Sequence, residues 1–400
     1  MKLFCVSEME RKYALECQTR YERMEPLRTQ QVSPGVVFPL ELSEVGIHEQ
    51  DQYGGVCDGS LKFVSLSGTK RVSPTNFISN FSDWYVGANP AYSTNSMDYV
   101  DETVVFIGAL PKHYGHYILE GLSRLWFFLE SQNLKYKCVY ISDTGDDYFD
   151  DFLRLFGMPM ERVVRIERPT IFKDVIVPEQ SIRLHDYYCK EYKQTIDQIM
   201  LAIQPVTNGK VYFSKRERKN DRAIGEAPIE SVLANNGYAV YFPENMSVVE
   251  TLSVLKGCGA FLATSGTNIH NSIFLRDGAT SICLNRSAHF HPIQIMIDRM
   301  KSLNSIYVDA FVFGSGSNWS SGPFFLFATE SVRNFFKFEK IQFNYFLLYR
   351  MYPTYFGIYA KRILRRSLID ALYPIYKKMK SSKIGSVQWI VQTVDQVMLR

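Results

Sequence analysis

From about residue 100 the chain alternates short apolar runs with amphipathic stretches. "ETVVFIGAL", "KCVYIS", "RVVRI" and "DVIVPE" read as strands, while "DYFDDFLRLFGM" and residues 186–203 carry apolar positions at helical spacing. Past Pro205 the alternation resumes. "KVYFS", "YAVYF", "AFLAT" and "TSICLN" are apolar and β-prone, and "APIESVLANNG" and "SVVETLSVLKG" are helical between them. Ser247 three residues ahead of Glu250 is a capping-box signature, and Gly237 and Gly257 are helix stops. Strands and helices joined by short connections predict an α/β protein with doubly wound sheets. Two such sheets in series predict domains at residues 1–204 and 205–312, followed by a helical tail at 313–400. Residues 1–100 hold turn signals and short β-prone runs such as "LKFVSLSG", without a period that assigns them.

One predicted helix, residues 113–130, has an unusual face. Steps of three and four from His113 reach His116, Glu120 and then Ser123 and Arg124, while Tyr117, Ile118, Leu122, Leu125 and Trp126 occupy the other sides. A helix apolar on most sides is buried, so its polar line faces either internal partners or a cleft. As an internal network it would orient the helix, since buried charges persist when paired. Facing a cleft, Glu120 would be a general base, with His116 orienting it and Arg124 holding it ionised.

Two further segments could do chemistry. Five of the eight residues from Lys215 to Arg222 are basic, in a loop just past a predicted strand. That loop is either a solvated, charge-rich turn or the place where an open α/β sheet meets a phosphate-bearing ligand. In "ATSGTNIHNSIF" a strand ends at Thr264, Ser265, Gly266 and Thr267 turn the chain, and a helix starts near Asn268 with His270 and Asn271 in its first turn. This is either a capped helix after a tight turn or a set of N–H groups turned toward an anion. No Walker A sequence, no H-E-x-x-H and no Asp-x-Asp pair occurs.

Composition adds limits. Apolar residues make up 46% and charged ones 22%, ordinary for a soluble globular chain, and 400 residues suit two domains. The net charge of +4 is uneven, for residues 331–400 hold 13 Lys or Arg against three acids. Seven scattered cysteines without a C-x-x-C pair argue against a zinc site or a disulfide framework and fit reduced thiols. Glu8 and Glu10 interrupt the N-terminus before a signal peptide could form, and no window of about 18 apolar residues occurs. The expected location is cytoplasmic.

The segments together resemble glycosyltransferase family 61. The family pattern H-[FY]-G-H-[FY]-x-L-[ED]-x-L-x-R-x-W stands here as "HYGHYILEGLSRLW". Its basic motif stands as "YFSKRERKNDRAIGE", with Lys215, Arg216, Arg222 and Glu226 kept and Gly225 where Asn is usual. "PENMSVVET" carries Glu250, with Thr251 where Gln is common. "SGTNIHNSIF" has Ser265 in place of a His, and His270 directly ahead of Asn271. The resemblance spans roughly residues 100–290. It implies a GT-B arrangement of two Rossmann-like domains facing a cleft, and an inverting, metal-independent transferase. Such an enzyme moves a sugar from a nucleotide diphosphate sugar, by family habit UDP-linked, to a glycan or lipid-linked glycan in surface or capsular polysaccharide assembly.

The resemblance also implies roles. Glu120 takes the acceptor proton, with His116 as the rival base. Lys215, Arg216 and the turn from Gly266 through Asn268 to Asn271 neutralise the departing diphosphate. His113, Arg124, Arg222, Glu250, Ser265, Thr267 and His270 complete the substrate contacts, and no cofactor or metal is expected. Rival readings are a pyruvyl-type transferase of the same assembly and a catalytically silent glycan- or nucleotide-binding relative; nucleic acid is not an expected partner. The tail from about Ser331 mixes aromatics with Lys and Arg. That composition suits both an anionic membrane surface and a helix packed back on the N-terminal domain.

Overall fold

The computed structural model describes residues 1–4, 21–42, 52–72, 81–84, 97–110, 112–142, 147–206, 209–216, 223–288, 292–312 and 322–380, with residues 42, 52, 81–84, 147 and 368–380 as backbone alone. The fold is mixed α/β, with one sheet entirely parallel and another part parallel, part antiparallel.

The parallel sheet has six described strands in the order Lys2–Phe4, Asn304–Asp309, Thr280–Asn285, Ala260–Thr264, Lys210–Phe213 and Tyr238–Tyr241. Its central strands carry unbroken apolar runs at Val211–Phe213, Phe261–Ala263 and Ile282–Leu284 because both faces are covered, and a strand buried on both sides does not alternate. Chain order reverses between Lys210–Phe213 and Ala260–Thr264: the next strand after the first lies on one side of it, and all later ones on the other. Such a reversal leaves a crevice at the carboxyl ends of the two strands.

The second sheet has seven described strands. Asp98–Ala109, Lys137–Ile141, Val163–Arg165 and Thr170–Pro178 pair in parallel, as the alternation predicts. Thr29–Val32, Gly35–Leu42 and Gln52–Asp58 extend it as antiparallel strands. The run "LKFVSLSG" is a loop with one turn of 3₁₀ helix at Ser65–Ser67.

Two features differ from the expected partition. Lys2–Phe4 pairs with Asn304–Asp309, so the chain's first strand joins the sheet built by residues 205–312. The described part of the tail packs on that same sheet, whereas the expectation placed it on the N-terminal domain, at a membrane surface, or both. Val332, Phe335 and Phe336 of the helix Glu330–Phe338, with Leu348 and Tyr352, share a core with Leu262, Ile282 and Val308. The aromatic positions of the tail have the spacing to cover that open face, and burying them there removes apolar surface from water.

A single core runs between the two sheets, through Tyr117, Phe149 and Phe152 on one side and Phe261, Phe274 and Met296 on the other. Phe152 and Phe274 stack across it with ring centroids 5.7 Å apart. Among the described residues no helix is long and apolar enough to cross a membrane.

Candidate functional site

The segment expected as one helix over 113–130 is broken. Tyr114–His116 is a single α turn, Tyr117–Gly121 a π turn, and Leu125–Leu129 a 3₁₀ turn. The wide turn is closed by the Leu122 amide, which donates to the carbonyl of Tyr117 at 3.2 Å. Gly121 permits it, since a Cβ there would stand 2.7 Å from the Tyr117 ring. A π turn inserts one residue and rotates everything after it by about 100°. His116 and Glu120 therefore remain neighbours, whereas Arg124 turns away from them.

Arg124 is 1% exposed. Its guanidinium donates to the carbonyls of Pro178 (2.9 Å), Leu66 (2.9 Å) and Gly68 (2.8 Å), tying the mixed sheet to the loop beside it. Gly108, at φ +104°, makes this possible, because a Cβ there would lie 2.6 Å from the same guanidinium. The partner expected of Arg124 is supplied by Arg71, whose Nε and Nη2 both donate to the Glu120 carboxylate. His116 Nδ1 lies 2.9 Å from Glu120 Oε2 and 2.9 Å from Arg71 Nη2. Burial alone would raise the Glu120 carboxyl, yet the Arg71 charge and the His116 contact outweigh it and hold it down to about 2. His185, in a turn at φ +64°, completes this cluster. Burial first, and then the charge of Arg71, push its imidazole down to about 4.

In front of the cluster lies a cavity of about 700 Å³. Lys112, His113, Tyr114 and Tyr148 line it from one side, with Lys215, Glu244, Met246 and Val248 opposite. Its floor is Thr267, Asn268 and Asn271, at the reversal of the parallel sheet. The two sides touch directly: Tyr114 donates to Asn271 Oδ1 at 2.9 Å, and Gly115 lies so close that a Cβ would stand 2.9 Å from Thr267 Oγ1. The rings of His113 and His116 are 4.9 Å apart, which puts the Glu120 cluster directly behind the cavity wall.

The turn after Ala260–Thr264 bends at Gly266, φ +101°, where a Cβ would meet the Arg286 guanidinium at 3.0 Å. Ser265 Oγ accepts the Arg286 amide at 3.2 Å. His270 is buried behind Asn271 and held neutral. Burial lowers it, Gln294 opposes, and the charges of Lys215, His116 and His113 lower it further, to about 3. Gln294 Oε1 lies 3.1 Å from His270 Nδ1, while Gln294 Nε2 donates to Ser272 and Asp298 at 2.8 Å each, so Nδ1 is the protonated nitrogen.

Among the remaining sequence candidates, Lys215 is 5% exposed and its loop is held by Glu226, whose carboxylate accepts the Lys215 amide at 3.3 Å. Gly225 is required beside it, since a Cβ would stand 2.3 Å from the Leu326 carbonyl oxygen. Arg216 is half-exposed and pairs with Glu230 at 3.1 Å. Glu250 is exposed and closes the capping box with Ser247 at 2.8 Å, outside the cavity. Arg222 lies outside the described residues. Sequence reasoning missed Arg71, His185, Lys112, Tyr148, Glu244 and Gln294. Only Glu244 stood in a motif singled out beforehand, "PENMSVVET"; Arg71 sits in the stretch without periodicity.

A half-open cavity at a topological switch point, lined by apolar surface and a few polar side chains and backed by a histidine–carboxylate–arginine cluster, is the geometry of a small-molecule site in an α/β protein. Residues 114–283 match the family model described as Glycosyltransferase 61. No curated protein matches the chain.

Proposed function

We propose that the protein is an inverting glycosyltransferase of GT-B type, whose cavity takes a nucleoside diphosphate sugar, UDP-linked in the first instance, and a glycan or lipid-linked glycan acceptor. The observation that carries this reading is the cavity of about 700 Å³, lined from both sides and floored by Thr267, Asn268 and Asn271 at the sheet reversal. Its volume lies within the range of small-molecule sites.

The geometry favours His116 over Glu120 as base. A carboxylate held to about 2 by a two-pronged arginine contact is a poor proton acceptor, but a good orienting partner. His116 Nδ1 lies 2.9 Å from both Glu120 Oε2 and Arg71 Nη2, and the proposed mechanism uses the tautomer with Nδ1–H toward Glu120, which leaves Nε2 to accept. In the reaction the acceptor oxygen attacks the anomeric carbon as the bond from that carbon to the diphosphate oxygen breaks. The hydroxyl proton passes to His116 Nε2, and Lys215 offsets the charge on the departing diphosphate. This electrostatic work by Lys215 is the proposed basis of metal independence, in keeping with the lack of an Asp-x-Asp pair.

Calorimetric titration against a panel of nucleotides and nucleotide sugars, with EDTA present, tests the reading. One nucleoside diphosphate sugar should bind, and Lys215→Ala should weaken it about tenfold. Failure of every panel member to bind, with and without a glycan acceptor, would overturn it.

A further inference from the structure

The tail helix carries a surface that the cavity does not use. Seventeen large apolar side chains are exposed among the described residues, and eight of them fall within residues 345–364. Phe346 is 73% exposed and Leu364 66%. Scattered single exposures are normal, but this concentration is not.

Four of these residues lie on the helix Tyr352–Lys380 and three on the short helix Tyr345–Tyr349 before it. Tyr352, Tyr355 and Tyr359 turn one face onto Phe325 and Phe327 of the body. At 100° per residue, Phe356, Ala360, Ile363 and Leu364 form a second stripe beside that face, and Lys361, Arg362 and Arg365 a third. Between Glu339 and Asp370 there is no acid, while Lys340, Arg350, Lys361, Arg362, Arg365 and Arg366 are all basic.

We propose that this surface, Tyr345–Tyr349 together with the first half of Tyr352–Lys380, docks on an anionic lipid surface, its apolar stripe in the interface and its basic stripe toward the headgroups. An apolar face flanked by Lys and Arg is the pattern that lies in a membrane plane. The helix does not span, since no described helix is long and apolar enough. A second copy of the chain is a worse occupant, because a two-fold contact would set one row of basic side chains against another.

A relay of contacts joins the docking surface to the turn that precedes the cavity floor. Phe325, against which Phe356 packs with rings 6.1 Å apart, follows Phe324, whose ring lies 4.4 Å from the Arg286 guanidinium beside Gly266. The surface does not depend on what the cavity transfers, so it is tested without any sugar.

The full-length chain is sedimented with vesicles of phosphatidylcholine alone and mixed with phosphatidylglycerol. It should pellet with the mixed vesicles, less so at high salt. Both Phe346→Asp/Leu364→Asp and Lys361→Glu/Arg365→Glu should cut the bound fraction by about tenfold or more, with unchanged circular dichroism. The charge-reversal pair keeps the test decisive if the apolar pair misfolds. Absence of pelleting, equal pelleting with neutral vesicles, or undiminished binding by the variants would overturn the proposal. So would a concentration-dependent dimer that the same substitutions dissolve.

Discussion

The two walls of the cavity solve the problem of buried polarity in opposite ways. Behind the wall on the mixed-sheet side, Arg71 and Glu120 form a buried ion pair, with His116 Nδ1 in contact with both. On the wall from the parallel sheet, His270, Gln294, Asn268 and Asn271 are uncharged groups held by hydrogen bonds, with His270 denied its proton by burial. A charge cluster tolerates no loss of a member, because the one left behind is a buried, unpaired ion. A network of neutral dipoles gives way more gradually. The wall of charge suits proton movement, and the neutral wall suits holding a polar ligand without competing for its charge.

The comparison is tested most severely by His116→Ala. On the proposed mechanism it lowers kcat by about 10²–10⁴-fold with donor affinity unchanged. Glu120→Gln, which keeps the shape but not the charge, should cost less in kcat and more in stability, because Arg71 loses its counter-ion. If single-turnover assays show Glu120→Gln to be the more severe in kcat, the carboxylate is the base after all.

The contact between the walls comes next. Gly115→Ala drives a Cβ into Thr267, and thermal unfolding should register a loss of about 1–3 kcal/mol. Adding Thr267→Ala should restore most of it. An undiminished single variant would show that the walls can part without cost.

The smallest effect concerns the neutral wall. With a folded value near 3 against an ordinary 6.5, the unfolded chain binds more protons at His270 throughout that window, so stability drops as pH falls from about 6.5 toward 3. By about pH 5.5 the wild type should have lost roughly 1 kcal/mol that His270→Gln does not lose. Unfolding curves of the two at pH 7.5 and 5.5 measure it, and parallel losses would mean that His270 is charged in the fold.

The alternation past residue 100 located the strands Asp98–Ala109, Lys137–Ile141 and Ala260–Thr264, and the helix Val248–Gly257 with its cap at Ser247. These were legible because fully buried strands and capped helices write their environment into consecutive residues. The antiparallel strands Thr29–Val32 and Gly35–Leu42 were not legible, since they pair with Thr170–Pro178, more than a hundred residues away. The site divides in the same way. His113, Lys215, Thr267, Asn268 and Asn271 line the cavity from positions that their motifs marked. The expected Glu120–Arg124 pairing failed because helical spacing assumes a regular helix, and the π turn at Tyr117–Gly121 removes that assumption.

By itself, then, the sequence determined which segments are buried strands and helices, where the basic loop and the Gly266 turn follow a strand, and that the tail is basic and aromatic. Those are properties of neighbours in the chain, written in a period of two or 3.6. Only the tertiary structure decided that Arg71 and His185 join Glu120, that Lys2–Phe4 completes the opposite sheet, and that Arg124 is a staple between loops. Each of these depends on the packing of segments remote in sequence, where the identity of a partner is fixed by which buried charge or carbonyl must be satisfied.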